Sequence, residues 1–597
     1  MTIEKLPMRW TLDTIYEGGS GSPDFAKDLE RAEQLIGELR ASLRESKQAV
    51  TPERLTAWTS HAQTILALMR EADSYVACLM AENVTDRAAT ALADKVKNIM
   101  ADYQAAMALY DEALGAADDA TWQCWLSEGE AAEVANYLNE RRDQAKEKLP
   151  PEQESLAGDL AVNGYHAWGE LYNTIVSRAR FEAADETGER KSYSAGQLHN
   201  LLSHGDRGVR AAAFNVWEEE WGRQADLCAD TLNRIAGFRL KLYERRGWGT
   251  VLKEPLQMNR MSEATLQAMW AAIEEVKPAL GRYMARKAKL FGLEKLDWHD
   301  VEAPVGSASR KVPYDEAAVF IADRFRAFSP DMADFSLKAF KDGWIEAEDR
   351  NGKRPGGFCT SFPISGQTRI FMTYSGTASN VSTLAHELGH AYHQHVMNDL
   401  PPFSQEYAMN VAETASTFAE MLVADSAVKA AADPAEKLAL VEDKIQRSVA
   451  FFMNIHARFL FETRFYERRQ KGLLAPEELN ALMEEAQREA FGGALGLAHP
   501  HFWASKLHFY LTDVPFYNFP YTFGYLFSSG LYARAQVEGE AFAGRYVKLL
   551  RDTGSMSVEA LAHKHLGVRL DEIGFWREAA GMTVQDVDAF MAMTEQA

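Results

Sequence analysis

The chain has 597 residues, 47% of them apolar and 25% charged, an ordinary globular balance with enough apolar mass for a large core. Its 86 acidic and 64 basic side chains leave a net charge of −22, which argues against a nucleic-acid groove or an anionic membrane surface as partner. The start of the sequence lacks a secretion signal, and no apolar run reaches membrane-spanning length. The four cysteines, Cys78, Cys124, Cys228 and Cys359, are spaced neither for a metal nor for a disulfide framework. A cytoplasmic protein is expected.

Helical periodicity begins at once. "PDFAKDLERAEQLIGELRASL" opens on a proline suited to a first helical turn and sets Phe25, Leu29, Leu35, Ile36 and Leu39 near one face. Two more long periodic stretches, 54–84 and 87–114, predict antiparallel helices with apolar seams. Residues 181–198 are polar and interrupted, which places a boundary there and divides the chain into 1–185 and 186–597. Long helices resume after it. "SGQTRIFMTYSGT" (365–377) has β-branched and aromatic residues between glycine-containing turns and predicts a strand.

"STLAHELGHAYHQH" follows at 382–395 and holds four of the fifteen histidines. His386, Glu387 and His390 form H-E-x-x-H. On a helix, residues i and i+4 share a face, so two imidazoles can converge on one zinc ion, and zinc in catalytic sites keeps a position for water. Glu387 lies beside that face, where a carboxylate can take a proton from the attacking water. Gly389 costs about 1 kcal/mol relative to alanine inside a helix, which implies a close approach to its backbone.

A catalytic zinc needs a third protein ligand. In the next helical pattern Glu406, Glu413 and Glu420 are seven apart, nearly on one stripe. Small and apolar neighbours (Val411, Ala412, Ala415, Phe418) make a fully exposed stripe implausible. Glu413, the central one, is preferred as ligand, and Glu420 suits an acceptor that orients a histidine.

"HELGHAYH", the following "VAETAST", "GGFCTSFP" at 356–363, "IFMTYSGT" at 370–377 and "FYNFPYTFGYLF" at 516–527 resemble the oligoendopeptidase F branch of the thimet-oligopeptidase-like zinc metallopeptidases. The resemblance implies a mainly α fold: a helical saddle- or clam-like body enclosing a deep channel, with a small β-sheet beside the zinc helix. Residues 1–185 would form one wall of the channel, and 186–597 the catalytic domain. One zinc per chain would be held by His386, His390 and Glu413, with Glu387 activating water. By the same analogy an extended peptide would pair with the strand edge at Arg369, Ile370, Phe371, Met372 and Thr373. A histidine followed by tyrosines would stabilise the oxyanion, here His508 with Tyr521 and Tyr517. The interval from His508 to Tyr517 is longer than in thimet-type sequences, and Tyr525 is displaced by one residue from their pattern.

Three functions fit these features. They are a zinc endopeptidase of short unfolded oligopeptides, a zinc hydrolase of non-peptide amides or esters, and a non-catalytic helical peptide-binding protein. Retention of Glu387 with both histidines argues against the last.

Overall fold

The predicted periodicity becomes long helices, beginning with α1 (Pro23–Arg44), which buries Phe25, Leu29, Ile36 and Leu39. A computed structural model describes residues 5–44, 50–127, 129–184, 189–306 and 311–595. In chain order, α2 is Pro52–Glu82 and α3 is Arg87–Ala116. Asp86 caps α3 by accepting from the backbone of Ala88 and Ala89, satisfying donors that a helix start leaves open. The polar stretch after residue 180 forms the hairpin β1 (Phe181–Ala184) and β2 (Arg190–Tyr193). Then come α4 (Arg207–Arg245) and α5 (Glu263–Leu290).

A small mixed sheet follows: β3 (Ile345–Glu346), β4 (Phe358–Phe362) and β5 (Gln367–Phe371), in the order β3-β5-β4. β5 is parallel to β3 and antiparallel to β4, with Phe358 opposite Phe371. The rest is helical and includes α6 (Ala378–Met397), α7 (Thr414–Ala430), α8 (Ile455–Arg469), α9 (Phe519–Glu538) and α10 (Ile573–Thr594). The fold is mainly α with small sheets, as expected. Among the described residues no helix is long and apolar enough to cross a membrane.

Two compact units share the chain. The first comprises Met1–Lys148, Arg310–Ser426 and Arg534–Gly567. Its core joins α1, α2 and α3 to Trp10 and to Phe362 and Phe371 of the sheet, so the same apolar cluster that pairs the first helices anchors β4 and β5. Each such fully buried large side chain stabilises by about 1.5–3 kcal/mol. The second unit comprises Leu149–Ser309, Ala427–Ala533 and Val568–Ala597. There α5 lies along α10, with Tyr283 edge-on to Phe590 and Glu275 paired to Arg577.

Candidate active site

The histidine motif sits on α6, whose start is fixed by a reciprocal pair: Thr377 accepts from the Asn380 backbone and Asn380 reaches back to Thr377. His386 and His390 face the same side, with their Nε2 atoms 3.1 Å apart. Glu413 occupies the break between the short helix Met409–Ala412 and α7. Its Oε2 lies 3.3 Å from His386 Nε2 and 3.5 Å from His390 Nε2. Four-coordinate zinc with bonds of about 2.0–2.2 Å needs donor atoms roughly 3.3 Å apart, so these three residues fit the ion by spacing and donor type.

Gly389 explains how Glu413 gets there. A Cβ at this position would lie 2.5 Å from the Ala415 carbonyl oxygen and 2.6 Å from the Ser416 Cα. The glycine therefore lets the start of α7 press on α6, one residue from His390 and two from Glu413. That is the close approach expected from the sequence. Behind the site, His386 Nδ1 donates to Glu420 Oε1 at 2.7 Å, because a carboxylate can only accept. This leaves the His386 Nε2 lone pair pointing at the other two ligand candidates. Burial alone would raise the Glu413 carboxyl, but the two histidines and the Ser416 hydroxyl outweigh it and hold it at about 2.

Glu387 is 6% exposed, and its Oε2 is buried without a hydrogen-bond partner among the described residues. Burial raises its carboxyl, with His390 and His386 pulling the other way. A buried acceptor left open beside three converging ligand atoms suits a water or substrate group. The turn into β4 passes close by: a Cβ on Gly357 would lie 3.6 Å from Glu387 Oε1.

Of the other two histidines in the stretch, His393 is core and His395 is exposed. His393 bonds to the Leu550 carbonyl and the Thr553 hydroxyl, stacks on Tyr407, and is pushed down to about 3 by burial. His395 stacks on Phe335. Glu406 pairs with Arg70 rather than with the histidines.

The strand expected to offer a peptide its edge requires correction. β5 is the central strand, flanked by β3 and β4, and the Ile370, Met372 and Tyr374 amides bond to Trp344, Glu346 and Ala347. Ile370, Phe371 and Met372 are buried, while Thr373 is exposed. The Arg369 guanidinium is spent on the Thr11 and Thr368 carbonyls and the side chains of Thr14 and Gln367. The outer strands are the two partners of β5, the short β3 and the longer β4. The two-residue β3 that closes off the other side carries too little sequence signal to be read in advance.

In the second unit His508, Tyr517 and Tyr521 come together. His508 stacks on Tyr517 at 5.2 Å and meets Tyr521 at 6.1 Å, with Tyr517 and Tyr521 at 5.1 Å. Burial, with Arg458 and Lys506 nearby, pushes His508 down to about 4, so its imidazole is neutral at pH 7. Tyr525 turns elsewhere, bonding Ser448 and stacking on Phe451. The sequence reading missed what shapes the turn: Phe516 has φ 53°, a left-handed conformation rare for a bulky residue. Glu462, pushed up to about 8 by burial, holds the turn by accepting from the Phe516 amide and the Asn518 side chain.

The chain matches a model described as peptidase family M3 over residues 200–581 and one described as oligopeptidase F over 114–181. Oligopeptidase PepF of Bacillus subtilis is 23% identical over 558 residues, covering 91% of this chain and 81% of that protein. The Group B oligopeptidase PepB of Streptococcus agalactiae is 26% identical over 390 residues, 63% of this chain and 62% of that one. A solved structure from Chlamydophila abortus superposes with TM-score 0.85 at 18% identity, covering 98% of each chain. Oligoendopeptidase-F from Enterococcus faecium gives 0.70 at 18% identity, covering 96% of this chain and 98% of that one.

Proposed function

Because the chain belongs to peptidase family M3, a family of metallopeptidases, we propose that it is a zinc-dependent endopeptidase that hydrolyses internal bonds of short unfolded oligopeptides. One observation carries the proposal: three ligand atoms spaced 3.1, 3.3 and 3.5 Å apart, beside a buried glutamate with an open acceptor. When bound, zinc supplies Lewis acidity at that point and a position for water.

In this reading Glu387 orients the water and takes one of its protons as the oxygen adds to the peptide carbonyl carbon. Burial supports the role by making the carboxylate more basic than in water. The same carboxyl then returns the proton to the leaving nitrogen as the C–N bond breaks. Glu420 keeps His386 in one tautomer throughout. His508 and Tyr521, with Tyr517 against them, act as neutral donors to the oxygen on which negative charge develops. The peptide backbone pairs with β4, whose approach at Gly357 runs beside Glu387. The reading includes the enclosed channel implied by the resemblance. Short flexible peptides are therefore cut internally, while a folded protein carrying the same segment is spared.

The test combines metal analysis of the purified chain with mass spectrometry of a mixed peptide library. Internal cleavage that disappears on chelation and returns with one equivalent of zinc is expected. Strictly terminal trimming, or cleavage indifferent to chelation, would sink the proposal.

A further inference from the structure

Two cations of the second unit share one aromatic ring. Lys506 Nζ lies 5.1 Å from the centre of the Phe502 ring and Arg458 Cζ 5.3 Å from it. Both side chains are half-buried. Arg458 Nε donates to the Asn454 side chain at 2.9 Å. Among the described residues, no carboxylate makes an ion pair with either cation. Glu302, the acid whose field reaches both, is exposed and lines the same cavity as Lys506, but makes no ion pair with either among the described residues.

Such a pair is out of character for a chain with 86 acidic and 64 basic side chains. Attraction to one aromatic ring does not offset the cost of holding two like charges partly out of water. The strain registers in Lys506, lowered to about 8 first by burial and then by Arg458. The fields of both cations reach His508, two residues after Lys506, and that of Tyr521 reaches Arg458. Lys506 lines a cavity of about 60 Å³ with Asn454, Ser505, Gln446, Trp298 and Phe502, polar on some sides and apolar on others. The acidic Asp297–His299–Asp300 group close to that cavity takes no part, because Arg207 and Arg210 already occupy its oxygens.

We propose that Lys506 and Arg458 form a subsite for a carboxylate of the bound peptide, either its C-terminal carboxylate or an acidic side chain. The assignment rests on the peptidase reading above. An incoming carboxylate supplies the missing negative charge: the arginine's outer nitrogens offer a planar fork, and the lysine a point charge. An endopeptidase with a subsite for the terminal carboxylate would measure its substrates from the C-terminal end, which is a physical route to a preference for short peptides.

An unstructured peptide is prepared as the free acid and as the C-terminal carboxamide. A third, amidated peptide carries one interior glutamate in place of glutamine. Each is titrated calorimetrically into the full zinc-loaded chain carrying Glu387→Gln, so that the peptide stays intact. The acid should bind about tenfold to a hundredfold more tightly than the amide, the range for a charge-assisted contact. In Lys506→Gln and Arg458→Gln that ratio should fall towards one. Because the ratio is taken within each protein, a general loss of folding cancels, and the unsubstituted pair still decides if a variant does not fold. A gain confined to the glutamate peptide assigns the side chain as the source. Equal affinity for all three peptides, or an acid preference that survives both substitutions, overturns the subsite. Failure of the native chain to cut any of them sinks the peptidase reading instead, while the affinity ratio still decides this one.

Discussion

His386, His390 and Glu413 in the first unit, and Asp297, His299 and Asp300 in the second, each bring three ligand atoms within 4.8 Å of one another. By proximity alone the two groups are equals, but their surroundings differ. Glu420 stands behind His386 and turns its lone pair inward, towards His390 and Glu413. In the other group Arg207 takes both oxygens of Asp300 and one of Asp297, and Arg210 takes Asp300 again. His299 there is buried with Nε2 3.7 Å from Asp300 Oδ1 and, among the described residues, no hydrogen bond to either ring nitrogen, and burial lowers its pKa. Clustered ligands make a metal site only where nothing else has neutralised them. Two guanidiniums turn the same residue types into a structural ion-pair network.

The sharpest way to break this comparison is to remove members of each group. His386→Ala, His390→Ala and Glu413→Ala should each lose stoichiometric zinc, whereas His299→Ala should retain it; elemental analysis of the purified chains decides. Zinc lost from His299→Ala alone would reverse the assignment of the two clusters.

Glu387→Gln should keep zinc while turnover falls about 10²–10⁴-fold, the range for removing a general base. Steady-state kinetics beside metal content tests it, and near-normal turnover would give the proton to another group.

Asp300→Asn should leave zinc and kcat in place but cost about 3–5 kcal/mol of stability. It strands Arg210, whose side chain is 3% exposed in the native pair. Denaturant titration measures the cost, and an unchanged midpoint would show the network to be dispensable.

Tyr521→Phe should lower kcat by about 10²–10³-fold with zinc and melting temperature unchanged, because one oxyanion donor is lost. A fall in melting temperature with normal kcat would make Tyr521 a packing residue.

Smallest is Glu420→Gln, which should weaken zinc about 10–100-fold without removing it. Competition with a chelator reads this directly. Affinity unchanged from the native chain would mean that His386 is oriented by its packing and not by this carboxylate.

How much of this was legible follows from how far each argument reaches along the chain. H-E-x-x-H is written within one and a half helical turns, so local geometry alone puts both imidazoles on one face. Gly389 announced a close neighbour through its cost as a helix residue, although not that the neighbour would be Ala415 and Ser416. The core role of His393 and the stacking of His395 depend on residues such as Thr553 and Phe335, beyond any local pattern. The strand at 367–371 was readable as a strand but not as a central one. Its second partner is only two residues long, and Arg369 is claimed by Thr11 and Thr14 from the far end of the chain.

By itself, then, the sequence determined what short-range periodicity and residue chemistry can carry: a mainly helical chain, a histidine pair at helical spacing with a glutamate between, and a cluster of tyrosines after His508. Tertiary structure alone decided which glutamate meets the histidines, which strand lies at the centre of the sheet, and which acids are already neutralised by arginine. It also brought Lys506 and Arg458 onto one ring. The physical reason is the same in each case. Helical spacing is set within a turn, whereas the pairing of a charge or a strand edge depends on whichever distant segment packs against it, and that choice is made by the whole fold at once.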